Sequence, residues 1–250
     1  MPDIPGLNAA QTDFFKTHGY LILENMIDET TLNDWRRQIW TALGSSPDRP
    51  DNWPRDKNGI DGFQFDPPES AFGQYQALAA VIEQMGGGAF AGEGAAPIIS
   101  WPQPTEKWSP TIGGHIDAYG PGGWSPFMIG ATTYLYDVDS HGGGFMYWPD
   151  SHHAAHRSFL RHPEQVDGSF REVSGWGWHV FRKGLPENPI EFTATAGSVL
   201  LWHSYLSHGG SINVNLTPRC GLFARWGNLR RNEPTFRYEI PENLWKDWAI

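Results

Sequence analysis

Cysteine is almost missing from this sequence: Cys220 is the only one in 250 residues. No disulfide can form within the chain, and a cysteine-based metal site is excluded. A lone thiol suits a reducing compartment, and the expectation is a cytoplasmic protein. Positive charge is also scarce. Eighteen Lys and Arg face 28 Asp and Glu, for a net charge of −10, and no basic run stands out. Phosphate backbones and anionic lipid surfaces need clustered positive charge, so neither nucleic acid nor a membrane is expected as a partner. Long apolar runs are absent, which leaves no transmembrane helix to assign. Residues 1–8 have neither a basic start nor an apolar core, so they do not read as a signal peptide.

Hydrophobic residues make up 39% of the chain, normal for a globular protein, whereas Gly (29), Pro (20) and Trp (13) are plentiful. Gly and Pro punctuate loops and strand ends, so the mixture leans toward a mainly β, loop-rich fold. The length suits one sizeable domain. We read residues 1–250 as that single domain. A helical N-terminal layer over 1–90 carries a Pro-rich, lid-like loop at 45–69. A β core follows over 96–230, with an insertion at 153–189.

Local signals place the elements. Asn8 and Gln11 form a reciprocal cap for a helix over 9–17, stopped by His18 and Gly19. Residues 20–24 read as a strand. Asp28 caps a second helix, in which Leu32, Trp35, Ile39 and Leu43 fall at near-helical spacing and Gly44 ends the run. A third helix is predicted over 70–85, with Tyr75, Leu78 and Ile82 on one face and Gly86, Gly87 and Gly88 closing it. Short β-like runs follow at 97–101, 127–136, 144–148, 190–194, 198–203 and 219–226. This is the spacing of a β-sandwich or jelly roll.

The chain has ten histidines, and a single one is usually a polar core or surface residue. Company and spacing decide. His115 and Asp117 form an H-x-D pair, and on an extended backbone residues i and i+2 share a face. Ninety residues separate Asp117 from His208, and ten separate His208 from Arg219. Two imidazoles and one carboxylate on one face of iron(II) leave three open positions. A 2-oxo acid fills two of them and dioxygen the third. The far carboxylate of 2-oxoglutarate then needs a cation of fixed fork geometry, which Arg provides.

The sequence resembles the phytanoyl-CoA dioxygenase-like family of iron(II)/2-oxoglutarate oxygenases. Phe14, Phe15, Gly19 and Tyr20 match its N-terminal pattern, and His115 and Asp117 its H-x-D. The stretch from Gly143 to Trp148, Pro149, Asp150, Ser151 and His152 is similar to its Pro-Gly-Ser-His segment, with Asp150 where Gly is usual. His208, Gly209 and Asn213 match the distal motif, and Arg219 stands at the co-substrate position. The resemblance implies a double-stranded β-helix (jelly roll, cupin-like) with N-terminal helices packed on one sheet. It implies Fe(II), 2-oxoglutarate and O2 at the site, and oxidation of an unactivated C–H bond with release of succinate and CO2. The intact Asp117 argues for hydroxylation or another oxidation over halogenation. The family also places a co-substrate contact on the strand holding Thr132 and Thr133.

Rival readings stand beside these. His203 competes with His208, and the spacing to Arg219 favours His208. Arg225 shares a strand face with Arg219 and pairs with an acidic group or reaches substrate. Cys220 reads as a small buried hydrophobe, and His152, His153 and His156 as a loop cluster more than a second metal site. Trp53, Trp124, Trp176 and Trp178 are candidates for the pocket wall, and Tyr119 for supporting Asp117. A non-catalytic cupin-like metabolite binder and a zinc hydrolase are the alternatives to an oxygenase. The acidic chain tilts the substrate toward a small uncharged or apolar metabolite.

Overall fold

The computed structural model describes residues 6–92, 95–110, 114–117, 119–120, 123–124, 127–161, 189–233 and 240–250. Helix α1 (Ala9–His18) opens on the full Asn8/Gln11 capping box and stops at Gly19, whose φ of 75° is left-handed. Helix α2 (Glu29–Leu43) starts where the Asp28 side chain accepts from the Thr31 backbone and ends at Gly44. Its buried face is Leu32, Trp35, Ile39 and Trp40. Trp35 is fully buried and donates its indole N–H to the Ser70 carbonyl at 2.7 Å. Replacing such a side chain by Ala costs roughly 3–5 kcal/mol.

Helix α3 (Gln76–Gly86) begins six residues later than the sequence suggests. Pro68–Ser70 and Phe72–Gln74 form two short 3-10 turns instead. The Ser70 hydroxyl is engaged backward by the Pro67 carbonyl and so caps nothing ahead of it.

The strands are β1 (Tyr20–Leu23), β2 (Phe90–Gly92), β3 (Ala96–Ser100), β4 (Tyr119–Gly120), β5 (Gly123–Trp124), β6 (Phe127–Tyr134), β7 (Met146–Tyr147), β8 (Ile190–Glu191), β9 (Val199–His203), β10 (His208–Gly209) and β11 (Arg219–Asn228). Among the described residues the main sheet runs β1-β9-β6-β11-β2, with β3 also pairing β11. A second sheet runs β10-β7-β8, and β4 and β5 form a hairpin. Each pairing is antiparallel.

Strand alternation divides the core in two. Ile129, Ala131, Leu201, Leu222 and Ala224 of the main sheet cluster with Phe15, Trp35 and Leu78 of the helices. Tyr134, Leu200, Trp202 and Phe223 point the other way and cluster with Phe145 and Tyr147 of the second sheet. The result is the two-sheet jelly roll, with helices on the outer face of its large sheet. Cys220 lies in the helix-side cluster, where burial pushes its thiol up to about 12.

Helix α4 (Ser151–Arg161) spans the start of the insertion predicted at 153–189. The insertion's remainder, 162–188, with Trp176 and Trp178, lies outside the described residues, as do the side chains of Tyr119 and Trp124. Trp53 is a packing residue. It stacks on Trp101 at 5.6 Å between ring centroids, and its indole donates to the Ser46 carbonyl. No helix of the described residues is long and apolar enough to cross a membrane.

Candidate metal and co-substrate site

His208 sits on a short strand held from both sides. Strand β10 pairs with β7, placing His208 opposite Tyr147. On its other edge the His115 N–H donates to the His208 carbonyl at 2.8 Å, and the His208 N–H returns a bond at 2.9 Å. The approach depends on Gly114. Its φ is +87°, and a Cβ there would lie 2.7 Å from the Trp148 ring and 2.9 Å from the Ser207 hydroxyl. Any other residue is strained at that φ and meets those atoms as well.

The pairing brings the side chains together. Asp117 Oδ1 lies 3.2 Å from His115 Nε2 and 3.5 Å from His208 Nε2. One ligand atom from each of the three residues falls within a 4.8 Å cluster. His208 is buried, and its Nδ1 faces the Leu206 carbonyl at 2.9 Å. A carbonyl only accepts, so Nδ1 carries the proton and Nε2 presents its lone pair to the cluster. Phe145 stacks on the His208 ring at 5.0 Å, and Trp202 lies against it at 4.5 Å. Burial pulls the His208 pKa down, partly offset by Asp117, which favours the neutral ligand form. Burial pushes the Asp117 carboxyl up, but the neighbouring His208 and His115 rings and the Arg225 guanidinium together hold it far below the usual range. Two imidazole nitrogens and one anionic oxygen are a donor set that fits iron(II).

Arg219 opens β11 on the same sheet face as Tyr134 and Phe223. It is buried, and its guanidinium donates from Nε to the Gly143 carbonyl at 2.9 Å and from Nη1 to the Ile98 carbonyl at 3.0 Å. Among the described residues no carboxylate pairs with it. Thr132 shares this inward face. Its hydroxyl oxygen accepts from Trp202 Nε1 at 3.1 Å. Thr133, one residue on, turns to the helix side opposite Leu222 and spends its hydroxyl on the Ser198 carbonyl. Adjacent strand residues point to opposite faces, so the two threonines cannot both look into the site.

The rivals separate in the same way. His203 lies on the outward face of β9, stacked on Trp248 at 5.2 Å and accepting on Nδ1 from the Tyr205 N–H. His152 is its neighbour at 5.5 Å, and His156 bonds the Pro241 carbonyl. These histidines belong to the packing between α4 and the C-terminal tryptophans. Arg225 pairs with Asp117 Oδ2 at 2.7 Å. Trp202, which the sequence reading passed over, lines the site. Its inward parity with Leu200 was readable, but nothing local aims it at His208.

A search of curated proteins finds no match. Solved structures resemble the fold at low identity. The carbocyclase SnoK from nogalamycin biosynthesis, described as non-heme and alpha-ketoglutarate dependent, superposes with a TM-score of 0.60 at 17% identity, over 94% of this chain and 95% of its own. EctD from S. alaskensis with bound Fe gives 0.63 at 17%, over 91% and 79%. HygX from Streptomyces hygroscopicus, with nickel and 2-oxoglutarate bound, gives 0.60 at 16%, over 90% and 88%. The profile of the phytanoyl-CoA dioxygenase family matches residues 109–221. That segment runs from just before His115 to just past Arg219.

Proposed function

We propose that His115, Asp117 and His208 hold iron(II), that Arg219 anchors 2-oxoglutarate, and that the chain oxidises a C–H bond of a small molecule. The observation that carries this is Arg219, a buried guanidinium without a carboxylate partner among the described residues, on the inward face of the barrel. Arginine stays charged in proteins, and burying an uncompensated charge costs several kcal/mol. Two carbonyls satisfy Nε and Nη1. A carboxylate on the remaining Nη2 edge supplies the missing charge. A three-donor cluster and a buried cation on one barrel interior suit a ligand with an acid at each end.

Iron(II) with 2-oxoglutarate and dioxygen supplies the oxidising power, the co-substrate leaving as succinate and CO2. The chain's own residues bind and orient. The Leu206 carbonyl fixes the His208 tautomer, and Phe145 and Trp202 hold the ring and exclude water. Thr132 keeps its hydroxyl proton for the co-substrate, since it only accepts from Trp202. Three solved relatives of the fold contain small molecules: SnoN with nogalamycin RO, EctD with 5-hydroxyectoine and HygX with 2-oxoglutarate. A small-molecule substrate is the reading they support here. The test is succinate formation by protein purified without oxygen and loaded with iron(II), with and without candidate substrates. Turnover is expected to require 2-oxoglutarate and to vanish in His208→Ala; full turnover in that variant sinks the ligand assignment.

A further inference from the structure

The two oxygens of Asp117 have different partners. Oδ1 faces both imidazoles, at 3.2 and 3.5 Å, while Oδ2 accepts from Arg225 Nε at 2.7 Å. Resting on the iron-site reading above, we infer that Arg225 is a positioning residue that reserves Oδ2, so that Asp117 offers a metal one oxygen only.

The geometry behind the guanidinium is built to hold it. Arg225 stands on β11, which is paired along both edges, opposite Gly130 of β6. The Trp202 ring fills the space above Gly130, where a Cβ would come within 2.2 Å of it. Trp202 is tied to Thr132 through its indole N–H, and the Arg225 guanidinium lies 5.6 Å from the Trp202 ring. Asp117, by contrast, sits in a turn with no strand to fix its side chain. Its carboxylate orientation is therefore set from across the barrel.

The count of positions makes this matter. Two imidazoles and one carboxylate oxygen leave three of six positions, which a chelating 2-oxo acid and dioxygen need in full. A carboxylate binding through both oxygens removes one. Charge alone gives the opposite bias to a simple supporting role. A guanidinium beside a dication repels it, so deleting Arg225 does not loosen the metal. It frees Oδ2 to chelate and crowds out the co-substrate.

Cobalt(II) is the probe, since it reports coordination by its visible spectrum without turnover. In Arg225→Met, cobalt(II) is expected to bind as tightly as in the wild type or tighter, with an altered spectrum. Binding of 2-oxoglutarate to the cobalt-loaded protein weakens about tenfold or more, the scale of lost ligand-supporting contacts. Arg225→Lys keeps the charge but not the fork, and falls between. It carries the test if Arg225→Met does not fold. Unchanged 2-oxoglutarate affinity with an unchanged cobalt spectrum overturns the inference, as does a tenfold loss of cobalt affinity. If the wild type itself binds neither cobalt nor 2-oxoglutarate, the site reading fails first, and that result is distinguishable from both.

Discussion

His115 and His208 bond each other through their backbones in both directions, at 2.8 and 2.9 Å, and their rings lie 4.3 Å apart. Residues far apart in the chain thus form one cross-strand pair. The spacing of the two imidazoles is set by this isolated β-bridge and not by the loops that lead to them. Replacing His208 by Ala removes one donor of three, and metal affinity is expected to fall by more than about a hundredfold, beyond what lost supporting bonds cost. His203→Ala leaves metal binding intact but lowers stability by roughly 2 kcal/mol or more, as a buried large-to-small change. Metal titration paired with thermal unfolding checks both, and a loss of metal in His203→Ala contradicts the account.

Gly130→Ala sets a methyl group 2.2 Å from the Trp202 ring. Overpacking of this kind costs about 1–3 kcal/mol. Trp202 also touches His208 at 4.5 Å, so its displacement is expected to weaken metal binding as well. A variant with wild-type unfolding temperature and wild-type metal affinity argues against Trp202 as the wall of the site.

Two buried imidazoles make the fold acid-sensitive. Burial, helped by the neighbouring His153, His18 and His156, pulls His152 down to about 3. Burial holds His203 well below its ordinary value, with His152, His153 and His156 adding to it. In each case the folded state resists the proton that the unfolded chain takes up near its ordinary 6.5. Their contribution is therefore complete above that pH and is lost as pH falls below it, down toward 3 for His152. Each histidine steepens the loss by at most about 1.4 kcal/mol per pH unit. Urea unfolding of the metal-free protein between pH 7 and 5 measures the slope. His152→Asn is expected to flatten it, and an unchanged slope refutes the assignment.

Asp150 stands in the left-handed region at φ 65°, where the family pattern has Gly. Its carboxylate meets His18 Nδ1 at 2.8 Å on the exposed side of the turn, and its N–H donates to the His18 carbonyl. Asp tolerates this conformation better than most residues. Asp150→Gly is expected to be nearly neutral, within about 0.5 kcal/mol. Asp150→Ala loses about 1 kcal/mol or more to backbone strain. Thermal unfolding of the two variants decides; equal losses leave the backbone argument without support.

The helices α1 and α2 were legible because their stop and start signals are local: Asn8 with Gln11, Asp28, Gly19 and Gly44. The start of α3 was not, since Pro68–Ser70 and Phe72–Gln74 fold into short 3-10 turns and the Ser70 hydroxyl bonds backward to Pro67. Strand β2 is three residues long and has no periodicity to read. Motif spacing singled out His115, Asp117, His208 and Arg219. It could not say that Thr132 and Thr133 diverge until the strand's facing was known. The partner of Arg225 was equally hidden. Parity showed that it shares the face of Arg219, but which acid it meets depends on how the turn at Asp117 folds across the barrel.

The most direct test of the site is the visible absorption that develops when iron(II) and 2-oxoglutarate are added together without oxygen. The wild type is expected to show a band that needs both components. In His208→Ala the band is absent, and in Arg219→Met it develops only at about tenfold or more higher 2-oxoglutarate, as the loss of a charge-assisted fork requires. A wild type without the band, or a band undiminished in His208→Ala, contradicts the account.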